Sequence, residues 1–323
     1  MILRWGLLGT ARINRRLIPA IRASARSSVA AVGSRDAARA AAYSHEWSIP
    51  AAFGSYDDLL AAPIDIVYNA LPNSLHVPWT LRAVAAGKHV LCEKPLGLTA
   101  PDVNAVKVAA HAAGLVVTEG FMYRHHAQTA VILDTVRAGA IGDVRLVVCG
   151  FSYLRDRPHD VRLDPALGGG ALWDIGCYPV SMAQLILGAP TQVVGLERVG
   201  PSGVDEEFSG TLTVANGGMA QIAASFAASD QAYLRIVGAR GTIAVDHPFR
   251  PEPIEHLRLT RDDRMDTLTV KGNPIFEDEV TDMEDAVLGI RPPRVSLEES
   301  RLHAATLAAL YESARTGRRV CLA

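Results

Sequence analysis

From residue 2 to residue 120 the chain alternates short apolar runs with helix-length segments, and this alternation limits the fold more than any other feature. "ILRWGLLG" reads as a strand, "INRRLIPAIRAS" as a helix, "SVAAVGS" as a second strand and "DAARAAAYSHEW" as a second helix. "IDIVYNAL", "HVLCE" and "LVVTEG" continue the strands, separated by the helical stretches "SLHVPWTLRAVAAG" and "TAPDVNAVKVAAHAAG". Apolar strands that each lead into a helix require right-handed crossovers and a parallel sheet covered on both faces. Local signals agree. Ser55 with Asp58, and Thr99 with Asp102, have capping-box spacing, while Gly87 and Gly114 stand where helices stop.

Past residue 121 the pattern changes. A helix near residues 127–138 leads to "DVRLVVCGFSYL", then a Gly-rich turn and the helix "ALWDIGCYPVSMAQLILG". Strand-like runs separated by turns follow, with Asn216-Gly217 and Asp262-Asp263 at hairpin positions, and two helices close the chain. The expected fold is therefore an α/β domain with a doubly wound parallel sheet at 1–121, then an α+β domain at 122–323 with a large open, mainly antiparallel sheet.

A hydrophobic content of 49% and a charged content of 20% are those of an ordinary globular chain, and 323 residues favour two cores over one. The net charge of −2 gives no field that would draw nucleic acid or a membrane surface. Cys92, Cys149, Cys177 and Cys321 lie far apart with no C-x-x-C, which suits thiols in a reducing compartment. Met1 directly precedes the first strand and leaves no room for a signal peptide, so a cytoplasmic location is expected.

Several turns carry chemistry. In "GLLGTARIN" the residues Gly9, Thr10, Ala11, Arg12 and Ile13 form the first βα turn, a degraded dinucleotide fingerprint. Gly9 permits the tight bend, and Ala11 is small enough for a pyrophosphate to approach the helix N-terminus. The second strand ends in Ser34-Arg35, where an NAD site would place a carboxylate for the ribose 2′-hydroxyl. A hydroxyl and a guanidinium suit a 2′-phosphate, which points to NADP(H); Ser34 or Asp36 also suits a helix N-cap, and Asp36 could turn to the ribose instead. Leu71, Pro72, Asn73 and His76 follow another strand at the carboxyl edge, beside the nicotinamide position, although a capped turn explains His76 as well. Glu93 ends "HVLCE" and Lys94 follows it. Only four lysines occur among 32 Lys+Arg, and a lysine can move a proton where an arginine cannot. His125-His126 lacks partners at metal-binding spacing, and no metal site is expected.

"GLLGTARI", "SRD", "GSYDDLL", "YNALPNSLH", "AGKHVLCEKPLG", "EGFMYRHH", "GGGALWDIGCYPV" and "YESARTGRRV" occur in the order and spacing of the Gfo/Idh/MocA oxidoreductases, which the chain resembles over nearly its whole length. The resemblance implies a Rossmann domain joined to an open-sheet domain, a nicotinamide cofactor, and a lysine of the Glu-Lys-Pro motif beside the reacting carbon. Lys94 matches that lysine. Asp174 and Tyr178 are four apart on an expected helix and so share a face. Many family members have His at the second position; Tyr here is similar to the glucose–fructose oxidoreductase and xylose dehydrogenase branches. A phenol near its intrinsic pKa of ~10 needs a neighbouring cation to act as a base, and Lys94 is the candidate. Tyr123 and Arg124 fall in the family's substrate-facing segment. His159 and Arg162, in "RDRPHDVRLDP", are possible substrate contacts on a loop that solvation explains equally well.

Together these readings give an NADP-dependent dehydrogenase or reductase acting on a CH–OH or carbonyl carbon of a sugar or polyol. Lys94, Tyr178 and Asp174 are its catalytic set. A trans-dihydrodiol dehydrogenase is the alternative, as is a cofactor-sensing regulator of the same fold; loss of the lysine or of the Tyr/His position would mark the regulator, and both are present. Sparse charge in "MAQIAASFAA" suggests that one sheet face meets a second copy in a homodimer or homotetramer.

Overall fold

The computed structural model describes residues 2–155, 160–262 and 264–322, and the chain divides into two compact units. Unit 1 comprises Met1–Met122 and Phe276–Arg301; unit 2 comprises Tyr123–Ile275 and Leu302–Ala323.

In unit 1, β1 (Leu3–Leu8), β2 (Ser27–Gly33), β3 (Ala51–Phe53), β4 (Ile66–Asn69), β5 (His89–Glu93) and β6 (Val117–Gly120) form one sheet. Helices α1 (Asn14–Ala23), α2 (Ala37–Glu46), α3 (Tyr56–Ala61), α4 (Asn73–Ala85) and α5 (Ala100–Ala113) connect them. All five pairings are parallel, in the order β3-β2-β1-β4-β5-β6. This is the doubly wound Rossmann order, in which ligands bind outside the carboxyl ends of the strands where the order reverses, here between β1 and β4. Burial follows from the sequence: all four residues of β4 are buried, as expected of a central strand with helices on both faces. Ser55 and Thr99 cap α3 and α5 by accepting from Asp58 N and Asp102 N. The short edge strand β3 carries no signal in the sequence.

The sequence assigned residues 276–301 to the second domain; the structure returns them to unit 1. The cause is polar as well as apolar. On α8 (Ile275–Val287), Phe276, Val280 and Met283 are buried, and the Glu284 carboxylate, fully buried, accepts from Ser24 Oγ (2.5 Å), Ser27 Oγ (2.5 Å) and Arg26 Nε (2.9 Å) at the start of β2. Thr118 Oγ1 on β6 donates to Val295 O at 2.9 Å. A buried charge persists only when so many donors surround it.

Unit 2 contains α6 (Ala127–Arg137), β7 (Val144–Ser152), a π-helical turn (Leu172–Gly176), α7 (Cys177–Leu187) and the strands β8 (Pro190–Val199), β9 (Asp205–Val214), β10 (Met219–Ser225), β11 (Gln231–Gly238), β12 (Gly241–Val245), β13 (Ile254–Arg261) and β14 (Arg264–Lys271). After α8 come α9 (Leu297–Thr316), within which the unit boundary falls, and β15 (Val320–Cys321). The nine-stranded sheet has the order β14-β13-β12-β11-β7-β10-β9-β8-β15, and only β7–β10 is a parallel pair. Alternation decides its faces. Cys149, Val193, Phe208, Leu212, Ile222 and Leu234 are buried on the side where Cys149 Sγ reaches Pro179 O of α7 and Gly195 N reaches Ser313 Oγ of α9. The opposite face is open.

Candidate active site

The turns singled out by sequence stand at the carboxyl ends of β1, β2, β4 and β5. After β1, Gly9 has φ +86°, and Asn14 Nδ2 donates to its carbonyl at 2.9 Å, closing the turn into α1. A Cβ on Gly9 would lie 3.1 Å from Leu71 Cδ2, so any side chain there would crowd the next turn. After β2, Ser34 Oγ accepts from Asp36 N at 3.3 Å, and the Asp36 carboxylate accepts from Arg39 N at 3.0 Å as the N-cap of α2. Asp36 is thus committed to the helix. Arg35 is exposed. Sequence reasoning passed over Tyr56: burial pushes its phenol up, and Arg35 and Arg39, both within electrostatic reach, pull it back. A tight glycine turn, a hydroxyl, two nearby guanidinium groups and no free carboxylate at the strand end fit a dinucleotide carrying a 2′-phosphate.

After β5, the segment bearing Lys94 is held at three successive neighbours. The Tyr68 hydroxyl donates to Glu93, a ring nitrogen of His76 lies 2.7 Å from Pro95 O, and Leu96 N donates to Glu119 Oε1 at 2.8 Å. Lys94 itself is half-buried. His76, expected beside the nicotinamide, is 1% exposed, and its second ring nitrogen lies 2.7 Å from Leu71 O, so its ring joins the two turns that follow β4 and β5. Two carbonyl acceptors favour a doubly protonated ring, whereas burial, chiefly, and the Lys94 cation push it down to about 4. The neutral ring donates to one of the two carbonyls and meets the other through its unprotonated nitrogen. Near Glu93 lies Glu279 of α8, fully buried; burial first, then the Glu93 and Asp282 charges, raise its carboxyl well above the usual range.

In unit 2, a Gly-rich turn delivers Asp174 and Tyr178. Gly170 has φ +131°, and a Cβ there would stand 2.7 Å from Tyr311 OH and collide with Asp205. Asp205 accepts from Tyr311 OH (2.6 Å) and Leu172 N (2.8 Å), fixing the start of the π-turn; burial pushes its carboxyl up to about 6. Asp174 lies in the π-turn and Tyr178 in the first turn of α7, an irregularity that recurs at functional sites. Asp174 Oδ2 accepts from Tyr153 OH and from Arg162 Nε, each at 2.8 Å. The Tyr178 ring lies 5.6–6.1 Å from those of Phe249, Phe151 and Tyr123. Tyr123 is wholly buried, with its hydroxyl on Ser181 Oγ at 2.8 Å, and its ring packs beside that of Tyr178. Arg124 is buried too, and His159 lies outside the described residues. Tyr153 was not anticipated, because nothing in the sequence says that it reaches across 21 positions to Asp174. Among the described residues no group of His, Cys, Asp or Glu is placed to hold a metal, and no helix is long and apolar enough to cross a membrane.

Comparison with known proteins places the fold in a family. Residues 3–121 match the oxidoreductase-family NAD-binding Rossmann fold, and residues 130–244 match the GFO/IDH/MocA C-terminal domain. The chain is 40% identical to D-xylose 1-dehydrogenase (NADP(+)) 2 of Haloferax volcanii, over 97% of this chain and 98% of that protein. A crystal structure of a 3-ketoreductase from Actinomadura kijaniata with NADP and TDP-benzene superposes with a TM-score of 0.91 at 30% identity, covering 97% of this chain and 98% of that one. The aldose–aldose oxidoreductase of Caulobacter crescentus, complexed with glycerol, gives 0.91 at 29% identity with full coverage of both chains (100% and 100%). The chain belongs to the GFO/IDH/MocA family of oxidoreductases.

Proposed function

We propose that the protein is an NADP-dependent oxidoreductase acting at a hydroxyl or carbonyl carbon of a sugar, with an aldose oxidised at C1 as its leading reaction. The observation that carries this reading is Lys94, held at the carboxyl edge of β5 by anchors on both sides, in a family member whose 40%-identical relative is an NADP-dependent xylose dehydrogenase. Bound nicotinamide supplies the hydride acceptor or donor. Gly9 to Ile13, Ser34, Arg35, Leu71 to Asn73 and Glu93 bind it. In oxidation Tyr178 takes the substrate hydroxyl proton, while the Lys94 ammonium stabilises the phenolate and the developing alkoxide. Asp174, whose Oδ2 already receives two donors, orients substrate and does not act as the base. Reduction of a keto-sugar runs the same proton steps backwards.

The test is a turnover screen of purified protein with NADP+ or NADPH against aldoses, keto-sugars and trans-dihydrodiols. Oxidation of a pentose or hexose with NADP+ is expected. Turnover confined to dihydrodiols, or none with any sugar, would refute the reading.

The same reading includes a homodimer or homotetramer built on the open sheet face, in the cytoplasm. Val148, Val194, Thr211, Ala223 and Tyr233 line a shallow groove there, and Leu196 beside them is 69% exposed. The Tyr233 ring lies flat over Gly150, where a Cβ would come within 2.6 Å of its hydroxyl. Ser209 and Gln221 lie among these apolar side chains, and an exposed mixed face of this kind suits a partner copy. Light scattering should give at least a dimer, and Leu196→Asp should shift it towards monomer; a wild-type monomer at micromolar concentration would refute the assembly.

A further inference from the structure

Around Asp174 the described charges of unit 2 form one connected network. Asp160 pairs with Arg155 (2.5 Å) through Oδ2 and with Arg162 Nη1 (3.3 Å) through Oδ1, which also accepts from Arg162 N at 3.0 Å. Arg162 Nε then reaches Asp174, and the Arg155 guanidinium lies over the Tyr153 ring at 5.2 Å and the Phe226 ring at 5.7 Å. Among the described residues of this network, two carboxylates thus balance two guanidinium groups. Asp160 is their shared member, touching both arginines. Its side chain is 14% exposed, whereas that of Arg162 is 42% exposed, with Nη2 taking no hydrogen bond among the described residues. Among the described residues, the wall therefore offers a donor to a hydroxyl but no surplus positive charge to a phosphate or carboxylate.

We propose that Asp160 is a specificity-determining residue: by neutralising Arg155 and Arg162 it restricts the site beside Asp174 to uncharged sugars. The inference rests on the aldose reading above and adds the class of sugar. The guanidinium groups are partly shielded from solvent, so loss of their common counter-ion is not fully screened by salt and leaves a local excess of one positive charge. Arg162 would then be released to bind an anion through two nitrogens. A purely structural role for Asp160 predicts something else: its loss would harm neutral and anionic sugars alike.

The experiment compares kcat/KM for D-glucose and D-glucuronate, which share a ring and differ by one carboxylate, in wild type, Asp160→Asn and Asp160→Glu with saturating NADP+. Asparagine can still accept from Arg162 N, which preserves the local turn; Asp160→Ser serves the same purpose if the first variant does not fold. The glucuronate-to-glucose ratio should rise about tenfold in Asp160→Asn, the gain of one charge-assisted contact. It should stay unchanged in Asp160→Glu and shrink again as salt is raised. A folded, glucose-active Asp160→Asn enzyme with the wild-type ratio would overturn the proposal. If the wild type oxidises no aldose, the functional reading has failed, and calorimetric titration of the NADP-loaded proteins with glucuronate decides the present question. Tighter binding by Asp160→Asn supports the lock; equal affinity ends it.

Discussion

Lys94→Ala and Tyr178→Phe are each expected to lower kcat by roughly 10²–10⁴, the usual range for loss of a proton-transfer group, while NADPH affinity stays close to wild type. The local packing makes these substitutions clean. The backbone at Lys94 is held by Tyr68 on Glu93, His76 on Pro95 O and Glu119 on Leu96 N, none of which needs the lysine side chain. Tyr178→Phe keeps the ring against Phe151, Phe249 and Tyr123 and deletes only the hydroxyl. Loss of a contact made equally in ground and transition states would raise KM instead. Steady-state kinetics with the sugar found in the screen, together with NADPH fluorescence titration, separates the cases. Near-wild-type turnover in Tyr178→Phe would show that the phenol does not carry the proton.

Much of the fold could be read from the chain because its signals are local. Strand–helix alternation over residues 2–120 dictates a parallel sheet, and Ser55 and Thr99 sit three residues before the backbone groups they cap. What escaped was non-local. Glu284 looks like any helix carboxylate until Ser24, Arg26 and Ser27, some 260 positions earlier, are seen to surround it (the separations are 257 to 260). Residue type also states a chemistry without stating a side. His76 and Tyr123 have the right groups in the right segments, and both are buried, with a carbonyl or a serine at each polar atom. The network joining Tyr153, Asp160, Arg162 and Asp174 failed for the first reason: Arg162 was named as a possible substrate contact, but its neutralisation by two aspartates depends on how the loop returns to the π-turn.

Cofactor preference is the second large effect expected, and Arg35 decides it. A wild-type kcat/KM favouring NADP+ over NAD+ by roughly ten- to a hundredfold corresponds to one charge-assisted hydrogen bond of ~1.5–3 kcal/mol to the 2′-phosphate. The local geometry concentrates that contribution on arginine. Ser34 is buried and accepts from Asp36 N, so its main service is to shape the turn. Asp36, the one carboxylate that could reward a ribose 2′-hydroxyl, is held at the α2 N-terminus by Arg39 N, where the helix dipole also favours a negative charge. Arg35→Ala should therefore remove most of the preference, with a residue left by Arg39. Ser34→Asp should move it towards NAD+, because the new carboxylate would repel the phosphate and accept from the 2′-hydroxyl. The measurement is kcat/KM with each cofactor for wild type and both variants at one salt concentration. Equal values for the wild type would place the 2′-phosphate away from Arg35, even with sugar oxidation intact. A preference that survives Arg35→Ala and vanishes in Arg39→Ala would instead assign the phosphate to the first turn of α2.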